Sequence, residues 1–125
     1  MKPVGTHCLL ELFGCPAELL DDAEFIGESL REAATLAKST LLQEISHRFL
    51  PHGLTALALL AESHIAIHTW PEHRFAAIDI FTCGPEVDPE KACGFLTEKF
   101  RAETHSLISV PRGFTPEYDP TTPKG

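Results

Sequence analysis

The order of periodic segments predicts an α+β fold: a two-layer α/β sandwich with a mostly antiparallel sheet and two helices on one face. Three observations carry this. Apolar residues recur at helical spacing only over 21–38 and from 88 to about 100, while alternating or short apolar runs fill most of the rest. The two helical stretches are separated by a run of strands instead of alternating with them one for one, which favours an antiparallel sheet over βαβ units. A chain of 125 residues fits one domain, large enough to bury roughly two-thirds of its unfolded surface without staples. With no internal repeat or linker, residues 1–114 are expected to form that domain, and the Pro/Thr-rich stretch 115–125 a disordered tail.

Each element follows from local pattern. Cys8, Leu9, Leu10 and Leu12 make a strand over 5–13, ended by Gly14-Cys15-Pro16. A helix is expected over 21–38, with Asp21 as N-cap and Glu24 three residues on. Ala23, Ile26, Leu30, Ala33 and Ala37 form its packing face, leaving Glu28, Arg31 and Glu32 to water. Residues 40–50 alternate, with Leu42, Glu44, Ser46 and Arg48 on one side and Leu41, Gln43, Ile45, His47 and Phe49 on the other. Pro51-His52-Gly53 turns the chain, and the apolar run 54–62 returns as a buried strand paired antiparallel to it. Residues 75–82 give another strand, closed by Cys83-Gly84-Pro85. Asp88-Pro89 supplies N-cap and N1 of the second helix, and 106–110 a short last strand.

Composition excludes some partners. A formal charge of −8, from 18 acidic and 10 basic residues, argues against nucleic acid or an anionic membrane and suits a cationic small molecule better. Cys8, Cys15, Cys83 and Cys93 form no C-x-x-C pair, so free thiols are expected. Glu11 interrupts the first apolar run, and no run approaches a membrane span, so the expected location is cytoplasmic.

Chemistry concentrates in Glu62-Ser63-His64, which follows the apolar run. A hydrolase elbow would need glycines two residues either side of the serine, where Ala61 and Ile65 stand. No H-E-x-x-H occurs, so a zinc protease reading fails too. Four patches remain: Gly5-x-His7-x-Leu9-Leu10-Glu11-Leu12-x-Gly14-Cys15, His47-x-Phe49-x-Pro51-x-Gly53, Glu62-Ser63-His64-x-x-Ile67-His68-Thr69-Trp70-Pro71-Glu72, and Asp79-x-Phe81-Thr82-Cys83-Gly84. Together they resemble the small prokaryotic, pyruvoyl-dependent S-adenosylmethionine decarboxylases, from about residue 5 to 113.

The resemblance implies that the proenzyme cuts itself at Glu62-Ser63, leaving a β chain 1–62 and an α chain 63–125 that begins with a pyruvoyl group made from Ser63. It implies that His68 is the proton acceptor in processing and Cys83 the proton donor in catalysis, with the pyruvoyl ketone forming a Schiff base with the substrate. These residue types suit those tasks, since imidazoles titrate near ~6.5 and free thiols, near ~8.5, are mostly protonated at neutral pH. Where the family often has a serine two residues after the Pro-x-Gly turn, this chain has Thr55, which keeps the hydroxyl on a stiffer side chain. Phe49, Trp70 and Glu72 are candidate substrate-binding residues, the rings for an adenine and the carboxylate for ribose hydroxyls. A homodimer of cleaved protomers acting in spermidine synthesis is the implied assembly and setting.

Blander readings stand beside these. Taken alone, Ser63 fits a strand-end serine, Cys83 a buried apolar cysteine, and Phe49 and Trp70 core aromatics. His68 fits a satisfied core histidine or, with His64, part of a metal site. Two other functions also remain: decarboxylation of arginine or ornithine by the same pyruvoyl chemistry, and a non-enzymatic metal or small-ligand module drawing on the seven histidines.

Overall fold

A computed structural model describes residues 2–115. The elements are β1 Lys2–Phe13, α1 Ala17–Leu20, α2 Ala23–Leu36, β2 Thr40–Arg48, β3 Leu54–Ala61, β4 Ser63–Trp70, a 3-10 turn Pro71–His73, β5 Phe75–Cys83, α3 Pro89–Lys99 and β6 Thr104–Thr115. The strands form one sheet in the order β2-β3-β4-β5-β1-β6, and every neighbouring pair is antiparallel. This is the expected α+β architecture.

Period-two alternation decides which side of the sheet the helices cover. Cys8, Leu10 and Leu12 of β1, Ala56, Ala58 and Leu60 of β3, Ile65 and Ile67 of β4, and Ile78 and Ile80 of β5 are buried. They meet Ile26, Leu30 and Ala33 of α2 and Ala92, Cys93 and Leu96 of α3 in one core. Phe100, wholly buried just after α3, lies with its ring centroid 5.2 Å from that of Phe25; truncating such a side chain removes about 3–5 kcal/mol of stability. Asp88 caps α3 by accepting the Lys91 N–H at 3.1 Å, as its Asp-Pro start predicts.

Several expectations are corrected. The cap of α2 is Asp22, which accepts the Phe25 N–H at 3.0 Å. A one-turn helix precedes it, and Asp21 is diverted to the turn after β2: its Oδ1 accepts from Gly53 N at 3.0 Å and from Arg48 Nη1 at 2.9 Å. Ala23 is exposed at the first helical position. Residues 63–70, read above only as a chemical motif, form a strand of their own, with Ile65 and Ile67 inward. Two hairpins therefore share β4. The run in β3 is buried on one side only: Leu57 and Leu59 stay 36% and 45% exposed, because no helix covers the opposite face. A β-bulge between Leu41 and Gln43 places Leu41 opposite Leu60, on the helix side, so the expected alternation of β2 breaks there. The last strand is longer than expected, pairing with β1 along its length from Phe13↔Thr104 to Lys2↔Thr115. Thr115 thus closes β6, and the rest of the expected tail, 116–125, lies outside the described residues.

Candidate active site

Strand register assembles the candidate residues at two ends of the β3–β4–β5 region. At one end the β3–β4 hairpin turns through Glu62, and Ser63 pairs across β4 with Leu60 on one side and Thr82 on the other. Ser63 has φ +135°, a region open to glycine and costly to other residues by about 1–3 kcal/mol. The backbone is strained at the residue whose preceding peptide bond is the expected cleavage point.

Cys83 follows Thr82 and ends β5, so it flanks the same end. It is partly exposed, whereas Cys8, Cys15 and Cys93 are buried. Burial pushes the Cys15 thiol up to about 11, and the hydrogen bond that the Cys93 thiol donates to Cys8, with burial, pushes Cys93 up as well. Gly5 of β1 pairs with Cys83. A Cβ there would sit 2.6 Å from the Thr82 carbonyl oxygen and 3.0 Å from Cys83 Sγ, so the glycine is needed for space.

At the other end, Thr55 and His68 are cross-strand partners, and Thr55 Oγ1 lies 3.1 Å from His68 Nδ1. Around them Phe49, His52, Gly53, Trp70 and Glu72 line an open cleft of about 340 Å³. His52 Nε2 is 3.3 Å from Glu72 Oε1, and the Trp70 ring packs 5.4 Å from Phe75. Gly53, at φ +101°, lets the Pro51–Gly53 turn close over this cleft, with Phe49 N bonded to Gly53 O at 2.8 Å. All three expected substrate-binding residues line one cleft.

The two groups do not meet within a chain. Ser63 and His68 are five residues apart on the extended strand β4, about 17 Å at the usual strand rise, far beyond hydrogen-bond reach. His64, Ala66, His68 and Trp70 share the face that the helices leave open, as do Phe81 and Cys83 of β5. That face also carries Ile45 at 70% exposure and Leu59.

One polar network on it was not singled out from sequence. Arg112 Nη1 donates to His7 Nδ1 at 3.2 Å, which leaves Nε2 to donate to Asp79 Oδ1, also at 3.2 Å. The guanidinium lies 5.6 Å over the Phe81 ring. His7 and Asp79 each fell in a matched patch, which was the available signal; Arg112 had none. Among the described residues, no three His, Cys, Asp or Glu side chains converge as a metal ion would require. No helix there is long and apolar enough to cross a membrane.

Comparison with known proteins gives one family. A family profile described as S-adenosylmethionine decarboxylase matches residues 6–113. The S-adenosylmethionine decarboxylase proenzyme of Synechococcus sp. (strain WH7803) is 53% identical over 109 residues, 87% of this chain and 85% of the relative. That of Thermosipho melanesiensis is 42% identical over 113 residues, 90% of this chain and 87% of the relative. The crystal structure of the adenosylmethionine decarboxylase from Aquifex aeolicus VF5 superposes with a TM-score of 0.89 at 35% identity, covering 95% of this chain and 98% of that one.

Proposed function

The chain belongs to the S-adenosylmethionine decarboxylase family, and from that premise we propose that it cuts itself at Glu62-Ser63 and decarboxylates S-adenosylmethionine for spermidine synthesis. The strained Ser63 backbone is the observation that supports cleavage at that bond. Ser63 Oγ adds to the Glu62 carbonyl carbon, the C–N bond breaks as the nitrogen takes a proton, and an ester replaces the amide. A base removes the Ser63 Cα proton, the Cβ–O bond breaks, and Glu62 leaves as a carboxylate. Water then replaces the amine of the resulting dehydroalanine, releasing ammonia and leaving a ketone at position 63. Ser63 fits as precursor of that group because it stands at a chain turn, strained, partly exposed and adjacent to Cys83 through Thr82. The pyruvoyl ketone supplies an electrophile for the substrate amine and a sink for the electrons freed as carbon dioxide leaves.

The remaining roles belong to side chains. Cys83 returns a proton to the substrate carbon. His68 takes the Cα proton during processing: with Nδ1–H donating to Thr55 Oγ1, its Nε2 carries the lone pair a base needs. Since His68 cannot reach Ser63 of its own chain, a second copy supplies it. Two copies stacked open face to open face bring the His68, Thr55 cleft of each to the Ser63, Cys83 end of the other, and cover apolar side chains such as Ile45 and Leu59. Phe49 and Trp70 offer rings to the adenine and Glu72 an acceptor to the ribose. An acidic chain at −8 favours a sulfonium substrate.

Denaturing mass spectrometry of purified full-length protein tests this first. Two fragments, 1–62 and 63–125, with the second reactive toward a hydrazine, are expected, together with release of labelled carbon dioxide from S-adenosylmethionine but not from arginine or ornithine. An intact chain that still turns over substrate would refute it.

A further inference from the structure

Two buried hydroxyls among the described residues find backbone acceptors. Ser29 Oγ donates to Phe25 O and Thr69 Oγ1 to Leu20 O, each at 2.7 Å. Among the described residues two are buried with no partner, Thr82 Oγ1 and Ser39 Oγ. An unpaired buried hydroxyl loses its hydration with nothing to replace it, so two of them in one place call for a reason.

Both flank the Glu62–Ser63 bond. Thr82, only 1% exposed, is the direct cross-strand partner of Ser63, and such partners hold their Cβ atoms roughly 5 Å apart on the same face. Alternation agrees, for Ile65 and Ile67 lead back to Ser63 and Ile78 and Ile80 lead on to Thr82, all on the helix side. Ser39 stands on the other flank. Thr40 pairs with Ala61, so Ser39 is one step further along the line of β2, toward Glu62. Its backbone N–H is already bonded to Ala34 O at 3.0 Å, and its hydroxyl remains unused.

We infer that Thr82 and Ser39 donate hydrogen bonds to the Glu62 carbonyl oxygen as charge develops on it during self-cleavage. The inference rests on the self-cleavage reading above. Negative charge gathers on that oxygen twice, once when Ser63 Oγ adds to the carbonyl carbon and again when Glu62 departs as a carboxylate. Donors that have no partner beforehand break no bond in order to act, so their whole interaction favours the transition state. Their burial keeps water from competing. Thr82 carries the larger share because its strand position is fixed by pairing on both sides, with Ser63 and with Thr6.

The test uses the full chain made by cell-free synthesis, with the rate of Glu62–Ser63 scission read by denaturing mass spectrometry. Thr82→Val should cleave at least about tenfold more slowly, as loss of an oxyanion donor does. Thr82→Ser should restore the rate, and Ser39→Ala should slow it less. Stability is measured separately in the Ser63→Ala chain, where nothing is cut. There Thr82→Val should leave the melting temperature unchanged or raise it, since it replaces an unpaired hydroxyl by a methyl. Wild-type scission in Thr82→Val overturns the inference, as does slow scission matched by a lowered melting temperature in the uncut background. If the wild-type chain itself never cleaves, the self-cleavage reading fails, and this assignment with it.

Discussion

Complementation between two defective chains tests the proposed shared site directly. Ser63→Ala removes the residue at the proposed cleavage point, and His68→Ala removes the proposed base. The separation of Ser63 and His68 along β4 is about 17 Å, whereas proton abstraction needs heavy atoms within about 3.2 Å or one intervening water. Each variant alone should therefore stay whole. When the two are co-expressed in equal amounts and pair at random, about half of the His68→Ala chains associate with a Ser63→Ala partner. In such a pair one site joins the intact Ser63 of one copy to the intact His68 of the other, and the second site lacks both. About half of the His68→Ala chains should then be cut, and none of the Ser63→Ala chains. Separate affinity tags and denaturing mass spectrometry read the two populations. If tagged heterodimers are recovered and no cut chain is found, a shared site is refuted. Wild-type cleavage by His68→Ala alone would remove that histidine from processing.

Other perturbations probe the supports of the two ends. Thr55→Val removes the hydroxyl 3.1 Å from His68 Nδ1, the proposed acceptor, and should slow processing, while Thr55→Ser should not; equal rates of fragment appearance would exclude Thr55. Gly5→Ala places a Cβ against the Thr82 carbonyl and Cys83 Sγ, and should cost about 1–3 kcal/mol and alter the alkylation rate of Cys83, the only partly exposed thiol; an unchanged rate and melting temperature would show that the strand yields freely. The Gly53 N–H and then Arg48 hold the Asp21 carboxyl below its ordinary range. A carboxyl with a depressed folded-state pKa adds stability that is present above its unfolded value of about 3.9 and lost as pH falls through the folded one. Asp21→Asn should thus melt below wild type near neutrality and converge with it in acid, and a gap independent of pH would contradict that linkage.

Alternation and capping made most of the fold legible. Asp88-Pro89 marked α3, and Ile26, Leu30 and Ala33 marked the packed face of α2. The misplacement of its cap was a choice between adjacent aspartates, settled by what Asp21 binds across the chain at Gly53 and Arg48, a contact no local pattern shows. Residues 63–70 read as chemistry because polar His64 and His68 stand on the open face, although Ile65 and Ile67 carried the alternation of a strand. The site residues were visible as unusual letters in fixed order. Their division into two distant groups was not, because it depends on how far one extended strand carries position 68 from position 63. Arg112 lacked any motif, and its place beside His7 arises only from the β1–β6 pairing.

The strand order has a consequence for the severed molecule. Scission at residue 62 would assign β1, β2 and β3 to one fragment and β4, β5 and β6 to the other, yet the sheet runs β2-β3-β4-β5-β1-β6. The two pieces are interleaved: β1 is clasped between β5 and β6, and β3 adjoins β4. Neither piece can leave without unzipping three ladders at once, so the cut enzyme should hold together like a dovetail joint. Once melted, it would have to find its other half by diffusion, and recovery would depend on concentration in a way the uncut precursor's does not.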